Sequence, residues 1–238
     1  MDELNGEEPF RCVPACRHAA RYARSMLRAV CFDLMDTLIY DPYREALHAA
    51  TGLDLATLAA VRDRTCWPDF ESGTIDEATF ARRYFPEGSP HTFDLAAFHR
   101  ERRNGYRFLP GIEPLLESLR GKVGLYVASN YPVWIEEVRV TFGLDRFFDG
   151  VVASHHVGVR KPEPSFYEAL LSRVPHPPET CLFVDDRSDN CDAAERSGMR
   201  AHHFKDTEDL LVRLRHEKVI GSESVSYTHL RAHETVLD

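Results

Sequence analysis

Downstream of Tyr106, short and almost uninterrupted apolar runs alternate with segments of helical spacing, which narrows the choice of fold more than any other feature. "KVGLYVAS" (Lys122 to Ser129) is followed by "VWIEEVRVTFG", "FFDGVVAS" by "PEPSFYEALLSRV", "TCLFVDD" by "SDNCDAAERSG", and "RAHHF" by "TEDLLVRLRHE". Strands without polar alternation need cover on both faces, and strands joined through helices run parallel. The expected fold class is therefore α/β: a Rossmann-like parallel sheet with helices on both faces. Gly143 and Gly198 stand where two of the helices should end, and a proline opens a third. An earlier run, "CFDLMDTLIY" (Cys31 to Tyr40), supplies the first strand.

Residues 41–105 break this alternation. "PYREALHAATG", "DLATLAAVRDRTCW", "TIDEATFARRYF" and "DLAAFHRERRNG" all read as helices, with no strong strand among them. They form a small α-helical cap inserted after the first strand, with residues 26–40 and 106–220 making the core. The two ends differ from the rest. Residues 1–25 are acidic and then Arg-rich, and are expected to be a disordered N-terminal extension, with Met26 as an alternative start. The opening acids count against a transit peptide, and there is no apolar segment for secretion. "VSYTHLRAHET" (Val225 to Thr235) reads as the translation of a sequencing adapter, so residues 221–238 are expected not to be native.

A net charge of −9 argues against a general nucleic-acid binder, which needs a basic face. No apolar run reaches the ~18 residues of a membrane helix. The six cysteines have neither disulfide-framework nor zinc spacing, and Cys31 and Cys181 fall inside strands. A reducing, cytoplasmic location follows. Oligomeric state is not legible.

Polar clusters end four of the apolar runs: Asp33 with Asp36 and Thr37; Ser129 with Asn130; Arg160 and Lys161; and Asp185 and Asp186 with Asn190. Any one of them alone is explained as a helix cap or a loop. Together, at the strand ends where such sheets bind ligands, they suit phosphoryl transfer. A carboxylate can attack phosphorus, other carboxylates can hold Mg²⁺, and a lysine can balance the charge of the phosphoryl group. Ser and Thr hydroxyls can bind its oxygens.

On these motifs the chain resembles the haloacid dehalogenase-like hydrolases, in the branch whose helical cap follows the first strand. The resemblance implies Asp33 as nucleophile, Ser129 in the second motif, Lys161 in the third, and Asp185 and Asp186 as metal-binding acids. It also implies Mg²⁺ as cofactor, bound by Asp33, Asp185, Asp186 and the backbone carbonyl of Met35. The family's first motif is D-x-D-G-T, but here Met35 replaces the second Asp, which is the general acid/base, and Asp36 replaces the glycine. A catalytically weak binding protein is one alternative. A 2-haloacid dehalogenase is another, disfavoured because such enzymes do not keep the adjacent acids of the fourth motif. "FDLMDTLIYDPY", "SNYPVWIEEV", "RKPEPSFY" and "FVDDRSDN" further resemble plant plastid flavin mononucleotide (FMN) hydrolases, where methionine is a subgroup feature.

The expected activity is thus hydrolysis of a small phosphorylated metabolite, FMN among the candidates, through an aspartyl-phosphate. The catalytic residues are Asp33, Lys161 and Asp36, the last as a stand-in for the missing acid. Thr37, Ser129, Asn130 and Trp67 contact the substrate. Most cap aromatics are expected to pack against one another rather than on a flavin.

Overall fold

The computed structural model describes residues 26–221. The expectations for residues 1–25 and for the tail beyond Gly221 lie outside them. Strands β1 (Ala29–Phe32), β4 (Gly124–Ser129), β5 (Gly150–Ala153), β6 (Cys181–Asp185) and β7 (Arg200–His203) form one parallel sheet in the order β5-β4-β1-β6-β7. Successive residues of β1 serve opposite faces. Val30 and Phe32 enter a core with Leu115 and Leu116 of α6 (Ile112–Leu119), Ile135 and Val138 of α7 (Ile135–Thr141) and Leu214 of α11 (Thr207–His216). Ala29 and Cys31 face α9 (Pro164–Leu171) and α10 (Ser188–Arg196) through Phe166, Tyr167 and Ala194. A one-turn helix, α8 (Ser154–Val157), follows β5.

The cap contains α1 (Tyr43–Thr51), α2 (Leu55–Val61), α3 (Cys66–Glu71), α4 (Glu77–Arg83) and α5 (Leu95–Gly105). Asp54, Asp76 and Asp94 each accept a backbone N–H from three residues on, and so start α2, α4 and α5. "DLATLAAVRDRTCW" is two helices rather than the single one expected. Asp63 Oδ1 accepts from the Thr65 and Cys66 amides at 2.7 and 3.3 Å, which caps a new helix and breaks the first. Sequence also missed a short antiparallel pair at the base of the cap, β2 (Ile39–Tyr40) with β3 (Arg107–Phe108). It closes the insertion and returns the chain to the sheet.

The cap is docked on the core through Trp134, which precedes α7. Its ring lies 4.9 Å from Phe70 and 5.3 Å from Phe98, centroid to centroid, with the Arg102 guanidinium 4.5 Å above it. Arg102, itself buried, donates to Glu137 of α7 at 2.7 Å. Trp134 also donates to Glu77 of α4. Among the described residues no helix is long and apolar enough to cross a membrane.

Candidate active site

Strand register explains why residues 128 to 152 positions apart meet. Phe32 pairs with Val184 on one side and Val127 on the other. The next residue of β1, Asp33, therefore lies beside Asp185, and Ser129 ends the strand on the far side. The Asp33 amide donates to the Val184 carbonyl at 2.8 Å, which carries the ladder to the edge of the site.

Lys161 joins these ends. Its Nζ donates to Asp33 Oδ1 and Asp185 Oδ2, both at 2.6 Å, and all three residues are buried. Asn190 donates to both oxygens of Asp185, at 2.9 and 3.1 Å, and the Arg187 amide donates to one of them at 2.9 Å. Burial works against the lysine charge, but Asp185 and Asp33 outweigh it and hold the pKa above the ordinary lysine value. For Asp33, burial dominates and raises the carboxyl despite Lys161, with Asp185 adding to the rise. Asp186 is raised in turn, by burial and then by Asp185.

Oxygens of Asp33, Asp185 and Asp186 lie within 4.8 Å of one another. Three carboxylates face one ammonium, so the cluster keeps an excess of negative charge that burial penalises. An all-oxygen donor set of this charge fits a hard divalent cation of the Mg²⁺ class. Ser129 Oγ and Thr37 Oγ1 are buried and, among the described residues, have no hydrogen-bond partner. Unpaired buried hydroxyls are costly, and a bound phosphoryl group would satisfy both.

Three sequence-predicted residues do something else here. Asn130 donates Nδ2 to the Lys161 carbonyl at 2.9 Å and accepts the Lys161 amide on Oδ1 at 2.8 Å, so its side chain holds the lysine loop rather than facing substrate. Trp67 packs in the cap core, 4.4 Å from Tyr43 and 5.7 Å from Phe80 between centroids. Asp36 is exposed, with φ +56°, and its Oδ1 accepts the Asp41 amide at 3.1 Å. That left-handed backbone explains why glycine is usual at this position, and Asp is among the few other residues that tolerate it.

Two acids escaped sequence reasoning. Glu71 of α3 is buried against Arg160, and its carbonyl accepts Ser154 Oγ at 2.6 Å. Burial pushes its carboxyl up to about 7 against the pull of Arg160. No local pattern marks it, because its burial depends on cap docking. Asp41 follows β2 and lies within electrostatic reach of Asp36, Asp33 and Glu71. Its only sequence signal is the Asp-Pro pair that opens the cap.

The sequence model of the haloacid dehalogenase-like hydrolases matches residues 27–198. The chain belongs to this family. It is 32% identical over 180 residues to the chloroplastic flavin mononucleotide hydrolase 1 of Arabidopsis thaliana, covering 75% of this chain and 73% of that one. It is 27% identical over 194 residues to a glyceraldehyde 3-phosphate phosphatase of Methanopyrus kandleri, covering 73% and 82%. The fold matches a family enzyme from Bacteroides thetaiotaomicron, solved with magnesium and inorganic phosphate, at TM-score 0.60 and 19% identity, covering 76% of this chain and 96% of that one. The chain is thus an enzyme of the family's phosphatase kind.

Proposed function

We propose that the chain is a Mg²⁺-dependent phosphomonoester hydrolase that works through an aspartyl-phosphate on Asp33, with FMN as substrate. The observation that carries this reading is the Lys161 ammonium, held at 2.6 Å from both Asp33 and Asp185. Asp33 Oδ attacks phosphorus, and the bond to the ester oxygen breaks. Lys161 opposes the burial that raises the Asp33 carboxyl, orients it, and balances charge on the phosphoryl group. Ser129 and Thr37 donate to phosphoryl oxygens. Asn130 sets the position of Lys161, and Asn190 that of Asp185. Asp33, Asp185, Asp186 and the Met35 carbonyl would hold Mg²⁺, whose charge permits an anion to approach an anion. Water then attacks phosphorus, freeing phosphate and regenerating Asp33.

FMN is favoured by the relative of that name and by the shared first motif, not by the cap aromatics, which are used in packing. Among the described residues the cysteines are free and buried, which favours a reducing compartment such as the cytoplasm. A panel of phosphate esters with Mg²⁺ tests the proposal. The expected result is phosphate release, with FMN among the best esters and none released by Asp33→Asn. Equal activity of Asp33→Asn, or another ester outrunning FMN by orders of magnitude, would refute the nucleophile or the substrate, respectively.

A further inference from the structure

We propose that Asp41 is the proton donor and acceptor of the reaction, taking the part that Met35 cannot. This rests on the phosphatase reading above. Asp41 is six residues beyond Met35, but the chain doubles back between them. Met35 bridges to Ile39, the Asp36 amide donates to the Ile39 carbonyl at 2.7 Å, and Asp36 Oδ1 accepts the Asp41 amide at 3.1 Å. The backbone of Asp41 is thereby tied to the loop that carries the nucleophile.

Its carboxyl is left available. Oδ1 accepts the Tyr43 amide at 3.1 Å, and among the described residues Oδ2 has no hydrogen-bond partner. Of the other candidates, Asp36 is exposed to solvent, whereas Asp41 is partly buried, and Glu71 is paired with Arg160. The groups within electrostatic reach of Asp41 are Asp36 and Asp33 from the first-motif loop, Glu71 from α3, Tyr43 from α1, Tyr106 from the base of the cap and Tyr131 from the loop after β4. Burial and the Asp36 charge push its carboxyl up to about 7, near the value an acid/base needs at neutral pH.

The step balances. As Asp33 Oδ bonds to phosphorus and the ester P–O bond breaks, the Asp41 proton passes to the departing oxygen, giving the alcohol. Asp41, now ionised, takes a proton from the water that attacks the aspartyl-phosphate. The P–O bond to Asp33 breaks, phosphate leaves, and both carboxyls return to their starting states.

The test compares wild type and Asp41→Asn by rapid quench with Mg²⁺. The two esters are p-nitrophenyl phosphate, whose leaving group needs no proton, and FMN, whose alcohol does. The variant should release one equivalent of p-nitrophenol in a burst, then turn over on the order of 10²–10⁴-fold more slowly than wild type, with no burst of riboflavin. Wild-type turnover of FMN by the folded variant would overturn the proposal, as would loss of the p-nitrophenol burst. A second readout needs no variant. In wild type, the rate of riboflavin formation should fall on the alkaline side of neutrality while the p-nitrophenol burst rate does not. The same alkaline limb for both esters contradicts the assignment. If wild type released phosphate from neither ester, the phosphatase reading would fall and Asp41 with it. If only the comparison between the two proteins failed, Asp41 alone would be refuted.

Discussion

Asp36 and Lys161 show how single residues set this site. Asp36 meets two demands, a left-handed backbone and an acceptor for the Asp41 amide. Its substitutions should therefore rank in order. Asp36→Asn keeps both properties and should lose least. Asp36→Gly keeps the turn but loses the tether, and Asp36→Ala loses both, adding roughly 1 kcal/mol of backbone strain. Steady-state kinetics and thermal melts on the three variants check this; Asn losing more than Ala would reverse the assignment. Lys161→Met leaves two buried carboxylates uncompensated. Metal-free protein should lose about 3–5 kcal/mol, part of it regained with Mg²⁺, and turnover should fall on the order of 10²–10³-fold. Asp33 and Asp185 were legible because apolar runs end on them, and Lys161 because "VRKPEPSFY" resembles the family's third motif. The Asn130 clamp was not, because its partner lies 31 residues away and the sheet alone brings them together.

Among the elements, the seam between cap and core carries the least legible contacts. Helical periodicity showed that the cap helices have apolar faces, but not what those faces meet. Trp134, read from sequence as part of a core helix, fills the cap cluster instead. Trp134→Ala should cost about 3–5 kcal/mol by denaturant unfolding, with a broadened or biphasic transition as the cap loosens first. A stability change under ~1 kcal/mol would contradict the docking. Glu71 makes the seam sensitive to pH. Its folded pKa is raised from 4.5 to about 7, so the stability it contributes is complete below about pH 4.5 and is lost as pH rises to about 7. Glu71→Gln should flatten that decline in melts between pH 5 and 8, and an unchanged slope would place the loss elsewhere. The same seam explains the split helix and the unforeseen β2–β3 pair. Asp63 and the base of the cap answer to local capping and closure, which outweigh helical propensity over a few residues.

At the scale of the whole molecule, the sheet order places β1 between β4 and β6, where strand order reverses and ligands bind in such sheets. The parallel pairing was readable from the alternation of strands and helices, since it follows from the crossovers, but the strand order was not. The net charge of −9 makes it unfavourable to gather three carboxylates without a cation. Mg²⁺ should therefore raise the melting temperature. At a hundred times its Kd the gain is about 2.7 kcal/mol, and Asp185→Asn should abolish it without need of any substrate. An equal shift in that variant would place the cation elsewhere.

The most direct measurement of all is a chemical trap of the phosphoryl group. Wild-type protein turning over FMN with Mg²⁺ is quenched and reduced with borohydride, which converts an acyl-phosphate to an alcohol, and the peptides are weighed. Conversion of Asp33 to homoserine is the predicted result. Sustained FMN hydrolysis with Asp33 unmodified, or modification at another carboxylate, would contradict it.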